Sequence, residues 1–246
     1  MAAVLQVEEL SKHFSGVHAL EDVDVDVQEG EILGLVGPNG SGKTTVFNCV
    51  TGFVRPTSGR VVWQGRDITG LAPDQIARLG VVRTFQQKMV FPRATVRENL
   101  AMCWQEGRAR ALDKSFKDCD GILQFLGLFE MEEKLAADIP FGSARKLGVG
   151  LALAAHPQLL LLDEPAAGLN SEETQDLARL ISRITGLGIT VWVIEHDMHF
   201  LMSIAQRIVV LHAGRKIAEG RPAEIANNHD VISVYLGEKF ARDRSA

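Results

Sequence analysis

"GPNGSGKTT", Gly37 to Thr45, follows the apolar run "EILGLVG" (Glu31 to Gly37) and leads into a stretch of helical character. A glycine-rich loop between a buried strand and a helix start is the setting of the phosphate-loop pattern G-x-x-x-x-G-K-[ST], matched here by Gly37, Gly42, Lys43 and Thr44. Each residue type has a physical reason. Gly37, Gly40 and Gly42 permit backbone conformations and close approach that a Cβ would block. The stretch Gly37, Pro38, Asn39, Gly40, Ser41, Gly42, Lys43, Thr44 and Thr45 can therefore ring a β-phosphate with backbone N–H groups at a helix N-terminus. Lys43 is expected to neutralise the β- and γ-phosphates, and the Thr44 hydroxyl to ligate Mg²⁺.

Outward from the loop, "LLLLDE" (Leu159 to Glu164) and "ITVWVIE" (Ile189 to Glu195) are also continuous apolar runs, as expected of parallel strands covered on both faces. With Glu31 to Gly37 they should share one sheet. A helix is expected between the two runs. Asn170 and Glu173 have capping-box spacing, Leu177, Leu180, Ile181 and Ile184 form one apolar stripe, and Gly186 and Gly188 stop it. Strand, helix and strand make a βαβ unit. Val23, Val25 and Val27 alternate with Asp22, Asp24 and Asp26, the period of an antiparallel strand with one wet face, and "RVVWQG" (Arg60 to Gly65) reads the same way. From about Pro92 to Ala155 the periodicity is helical, as in "GILQFLGLFEMEEKL" (Gly121 to Leu135), which suggests a helical insertion in an α/β core. "RIVVLHAGRKIAEG" (Arg207 to Gly220) reads as two strands joined by a turn at Ala213-Gly214.

The other strand ends carry chemistry. In "LLLLDEP" two adjacent carboxylates close a buried strand, which is expensive unless they serve a cation or a reaction. Asp163 would hold the metal, usually through water, and Glu164 would polarise the water that attacks a γ-phosphate. The plainer reading is a strand end that simply meets solvent. In "VIEHDM" (Val193 to Met198), His196 follows another buried strand at the same carboxyl edge, where ligands of open α/β sheets collect, and can orient the attacking water with Glu164. His13, His18, His156, His199, His212 and His229 have no such setting and read as structural.

Composition excludes other classes. The chain has 246 residues, is 46% hydrophobic and carries a net charge of -5, without the basic excess of a nucleic-acid binder. Cys49, Cys103 and Cys119 lie far apart, which suggests reduced thiols and neither a disulfide framework nor a zinc site. No secretory leader is visible in "MAAVLQVEEL". The longest apolar stretch, Leu147 to Leu162, is interrupted at His156-Pro157-Gln158 and falls short of the roughly 20 residues of a membrane span. Membrane contact is expected to be peripheral.

In this order, the phosphate loop, the carboxylate pair and the strand-end histidine resemble the ATP-binding subunits of ABC transporters, over essentially the whole chain. The resemblance implies an α/β fold: a P-loop NTPase (RecA-like) core with a parallel sheet, an antiparallel β-subdomain and an inserted α-helical subdomain. It implies a single ABC ATPase domain over 1–246, with the core and the antiparallel subdomain at 1–91 and 156–246 and the helical subdomain at 92–155. ATP and Mg²⁺ are the implied ligands. "VVRTFQQKMVF" (Val81 to Phe91) looks like the Q-loop segment, which makes Gln86 a contact to Mg²⁺ and the attacking water that also feels the membrane subunit; a surface amide is the alternative. "KHFSG" resembles the adenine-stacking loop and makes Phe14 the ring under the base, against the alternative of a core phenylalanine. "AAGLN" (Ala166 to Asn170) sits where the family has its D-loop, with Asn170 replacing the commoner aspartate; a helix cap alone is the alternative for Asn170.

"GPNGSGKTTVFNCVTGF", "LLLLDEPAAGLNSEET", "VIEHDM" and the ending "NNHDVISVYLGE" look like the branched-chain amino acid importer subgroup, with urea and short-chain amide importers as close relatives. This implies a peripheral subunit on the cytoplasmic face of the inner membrane. Its implied partners are integral membrane permease subunits, a second ATP-binding subunit and, indirectly, an extracytoplasmic substrate-binding protein.

One segment departs from the family pattern. Members commonly carry Leu-Ser-Gly-Gly-Gln before a helix, and that signature crosses the dimer interface to grip the γ-phosphate on the other subunit. The aligned residues in "DIPFGSARKLG" are Ile139, Pro140, Phe141, Gly142 and Ser143, so the serine hydroxyl, one N–H and the glutamine side chain are missing. Phe141, Gly142 and Ser143 keep their N–H groups at a helix N-terminus, and the segment is expected to face a nucleotide through backbone groups. A helix cap without a ligand is the alternative. Rival functions fit less well. A soluble ABC-type ATPase of translation or repair would need a second ATPase domain or coiled-coil insertions. A P-loop kinase or nucleotide switch leaves "VIEHDM" unexplained, and a catalytically weak scaffold is countered by Glu164.

Overall fold

Alternation builds the first layer. The computed structural model describes residues 3–84, 90–108 and 116–235, with side chains for all of these except 105–108. Strand β1 (Ala3–Phe14) pairs antiparallel with β2 (Val17–Gln28), whose Val23, Val25 and Val27 are buried while Asp22 and Asp24 stay in solvent. Next come β3 (Ile32–Val36), α1 (Lys43–Val50), β4 (Ser58–Trp63), β5 (Arg66–Asp67), α2 (Pro73–Arg78) and β6 (Val81–Arg83). Helices α3 (Val96–Arg108), α4 (Cys119–Leu126) and α5 (Phe141–Ala154) follow, with a 3-10 turn at Phe129–Met131. The chain continues through β7 (Leu159–Asp163), α6 (Ser171–Thr185), β8 (Thr190–Ile194), α7 (Met198–Ile204), β9 (Arg207–His212), β10 (Arg215–Gly220) and α8 (Pro222–Ala226).

The strands form two sheets. One is antiparallel, in the order β2-β1-β4-β5; the other has the order β10-β9-β3-β8-β7-β6 and is parallel except for the β9-β10 pair. The three apolar runs read from the sequence are thus neighbours, β3 beside β8 beside β7, each with all five residues buried. Pleating sends alternate residues to opposite faces. Leu33, Leu35, Trp192 and Ile194 join the valines of β1, β2 and β4 and Phe47 of α1 in one core; Ile32, Val36, Val191 and Val193 join α3 to α7 in the other. Trp192 meets Phe47 edge to face, with ring centroids 5.0 Å apart.

Two local departures from the sequence reading have simple causes. Helical character across Gly121 to Leu135 is broken at Gly127, which caps α4 in the left-handed region at φ 69°. Val81–Arg83, read only as a loop segment, is the edge strand β6, held by parallel pairing with β7. Among the described residues no helix is long and apolar enough to cross a membrane.

Candidate functional site

The loop after β3 is shaped by close approach. A Cβ on Gly37 would lie 2.1 Å from the carbonyl oxygen of Leu211, and Gly40 and Gly42 have φ of 79° and 103°. Lys43 opens α1 and is buried; its Nζ donates to the carbonyl oxygens of Gly37 at 2.7 Å and Pro38 at 2.8 Å. The Ser41 hydroxyl is buried without a hydrogen-bond partner among the described residues, while Thr44 is exposed at the helix start. A cradle at a helix N-terminus, with an orphan hydroxyl and a lysine folded onto its own loop, suits a phosphate group.

Parallel pairing brings the other strand ends alongside. Asp163 is opposite Ile194 in the β7-β8 register, and the Glu164 amide donates to the carbonyl of Ile194 at 2.9 Å. Glu164 has φ of 45°, a left-handed conformation that is costly for a residue with a Cβ and is held by its surroundings. Asp163 is buried and its Oδ2 accepts from the Arg83 guanidinium at 2.6 Å; the same guanidinium donates to Asn48 Oδ1 of α1 at 2.7 Å. Sequence reading missed Arg83, because nothing near it in the chain marks a partner eighty residues away.

It also missed Glu195. This carboxylate is fully buried, at 0% exposure, where β8 ends. Its Oε1 accepts from the Ala166 amide at 2.8 Å, and its Oε2 accepts from the His196 amide at 3.3 Å. His196 is exposed, with Nδ1 3.6 Å from Glu195 Oε2. Burial pushes the Glu195 carboxyl above its ordinary range, against hydrogen bonds from the two amides and the nearby imidazole, which pull it down. The signal was present: an acidic residue closing an apolar run, as Asp163 and Glu164 do.

Phe14 ends β1 at a hairpin tip, 43% exposed, with Lys12 Nζ 4.8 Å from its ring centroid. Phe141, Gly142 and Ser143 begin α5, on a different element, and meet the segment after β7. The Gly142 amide donates to Glu173 Oε1 at 3.2 Å, Arg145 donates to the Ala167 carbonyl at 3.0 Å, and the Phe141 ring lies against Gly168. Asn170 caps α6 in a full capping box with Glu173. Gln86 lies outside the described residues. The remaining histidines include His13 and His18, whose rings stack at 4.0 Å, and His156, whose ring lies 4.7 Å from Trp104.

Among the described residues there is no cluster of three or more His, Cys, Asp or Glu side chains able to hold a metal. Thr44 and Asp163 offer only hard oxygen donors, few in number. That donor set fits a Mg²⁺ ion that takes its other ligands from water and nucleotide phosphates.

Comparison with known proteins places these features in context. A family model described as ABC transporter matches residues 20–167, and one described as branched-chain amino acid ATP-binding cassette transporter matches residues 215–241. The chain is 40% identical over 254 residues to the high-affinity branched-chain amino acid transport ATP-binding protein LivG of Salmonella typhimurium, covering 96% of this chain and 98% of that one. It is 39% identical over 250 residues to BraF of Pseudomonas aeruginosa, which carries the same description, with 96% and 98% covered. Among solved structures, the ADP conformation of MJ1267, an ATP-binding cassette of an ABC transporter, superposes with a TM-score of 0.87 at 29% identity, covering 96% of this chain and 100% of that one.

Proposed function

Because the chain belongs to the family of ABC transporter ATP-binding subunits, an ATPase family, we propose that its ATP binding and hydrolysis power a branched-chain amino acid importer. The observation that carries the ATPase chemistry is the adjacency of β3, β8 and β7, which lines up the loop at Gly37, the pair Glu195-His196 and the pair Asp163-Glu164 along one carboxyl edge. The substrate class rests on the likeness to LivG and BraF and on the match at residues 215–241.

In this reading Gly37 to Thr45 wrap the phosphates, and Lys43 exchanges its two loop carbonyls for β- and γ-phosphate oxygens. Thr44, Asp163 and Gln86 hold Mg²⁺, which when bound neutralises phosphate charge. Phe14 stacks under the adenine. Glu164 accepts a proton from the water that adds to the γ-phosphorus, while the bond to the β-phosphate oxygen breaks and ADP leaves with that electron pair. His196 and Gln86 orient the water. Phe141, Gly142 and Ser143 present backbone amides to the nucleotide held by a second ATP-binding subunit, and the Gly142 amide exchanges Glu173 Oε1, its acceptor at 3.2 Å, for that ligand. The 92–155 segment and Gln86 bear on the permease at the cytoplasmic face of the membrane, and an extracytoplasmic binding protein delivers the substrate to that permease.

Calorimetry with Mg·ATP and uptake by the reconstituted complex test this. The unchanged protein is expected to take up nucleotide and Lys43→Ala to take up none. Glu164→Gln should retain binding and lose turnover by about 10²–10⁴-fold. Vesicles should accumulate leucine, isoleucine and valine when ATP is present. Uptake of urea or a short-chain amide instead would replace the substrate reading and leave the ATPase intact; no nucleotide binding would remove both.

A further inference from the structure

Glu195 is a side chain for which the reaction as described has no use, in a place where a charge is hard to keep. A carboxylate at 0% exposure is rare, because its desolvation must be met by partners. Here the partners are the amides of two different loops. Ala166, held at 2.8 Å, stands two residues beyond Glu164, with only Pro165 between them. Proline has a fixed φ and no N–H, so this short link passes the restraint on Ala166 back to Glu164. On its other side Glu164 is tied by its own amide to Ile194, the residue before Glu195. The second oxygen takes the amide of His196 at 3.3 Å, and the Glu195 amide donates to Leu35 of the central strand β3 at 3.2 Å.

From these contacts we infer that Glu195 is a positioning residue: its two oxygens fix Glu164, through Ala166, at a set spacing from His196. A left-handed backbone at Glu164 is sustained only where neighbours over-determine it, and the Glu195 tether is one of those neighbours. The shape of the group matters. Two amide donors need two acceptors, which a carboxylate has and a carboxamide lacks, since its NH₂ would confront one of the N–H groups. An apolar side chain of similar volume would fill the space and leave both amides without an acceptor. The inference rests on the ATPase reading for its effect on turnover and on the contacts alone for its structural part.

The test compares the unchanged chain with Glu195→Gln and Glu195→Asp, each assembled with its membrane partners. Both substitutions are expected to lower kcat by about 10–100-fold, the scale of loss for small misplacements of reacting groups, and to leave the KM for ATP within about twofold. Asp keeps the charge but is one methylene too short to serve both amides; full rescue by Asp would assign the effect to charge alone and overturn positioning. In the free full-length chain, hydrogen exchange read by mass spectrometry should speed up at Ala166 and His196 in both variants, with the amides of β3 and β7 unchanged. Turnover equal to that of the unchanged chain, a fall in kcat matched by an equal rise in KM, or unaltered exchange at the two amides would each overturn the inference. If the unchanged complex failed to hydrolyse ATP, the ATPase reading would fail, while the exchange measurement would still decide whether Glu195 holds the two loops.

Discussion

Arg83 reaches Asp163 across two adjacent strands, and both side chains are nearly dry, at 4% and 6% exposure. Removing one member of such a pair leaves a buried charge behind, which costs about 3–5 kcal/mol, whereas replacing both by apolar residues of similar volume is often close to neutral. Arg83→Met is therefore expected to lower the urea-unfolding free energy by that amount, and Arg83→Met combined with Asp163→Leu to restore most of it. Glu195 makes a prediction of opposite character. Its folded pKa lies above the ordinary 4.5 because of burial, so the stability that goes with the protonated carboxyl is fully present below the unfolded value and is lost as pH rises through the folded one. The stability of Glu195→Gln measured against the unchanged chain should accordingly grow as pH rises from about 4 toward neutrality. Lys43 can be singled out from sequence by its place in the glycine-rich loop pattern, and Asp163, Glu164 and His196 because each stands at or just past the end of an apolar run. Which amides Glu195 holds, and that Arg83 faces Asp163, depend on strand neighbours distant in the chain, and no local pattern encodes them.

At the level of elements, α5 and α6 are joined through Glu173. One oxygen closes the capping box on the Asn170 amide at 3.0 Å, and the other accepts from Gly142 at 3.2 Å. Space is short as well, since a Cβ on Gly142 would come within 2.6 Å of that carboxylate. Glu173→Ala removes both bonds and should cost about 1–2 kcal/mol, visible as a lower Tm in calorimetry. The same substitution frees the Gly142 amide at the start of α5. Helix α6 is the most legible element of the chain, because its cap, its stripe of Leu177, Leu180, Ile181 and Ile184 and its terminal glycines are all local signals. Strand β6 is the least legible. Three residues carry no periodicity, and it is a strand only because β7 lies beside it.

Across the whole molecule, the six-stranded sheet separates two apolar cores and supplies side chains to both, so neither core can loosen without disturbing the strands beneath the phosphate loop. Ligand energy spent at the loop should then register as global stability. Mg·ATP at 100 times its Kd is expected to add about 2.7 kcal/mol, a rise in Tm of roughly 5–10 °C for a chain of this size. Lys43→Ala should show no such rise in the same thermal scan. Trp192 turns that coupling into light. Its indole sits in the strand that leads into Glu195 and rests edge-on against Phe47 of the helix that follows the loop. With Trp63 and Trp104 replaced by phenylalanine, its emission becomes a single tryptophan signal that is expected to change on addition of Mg·ATP, which a stopped-flow fluorescence titration checks without attaching a dye.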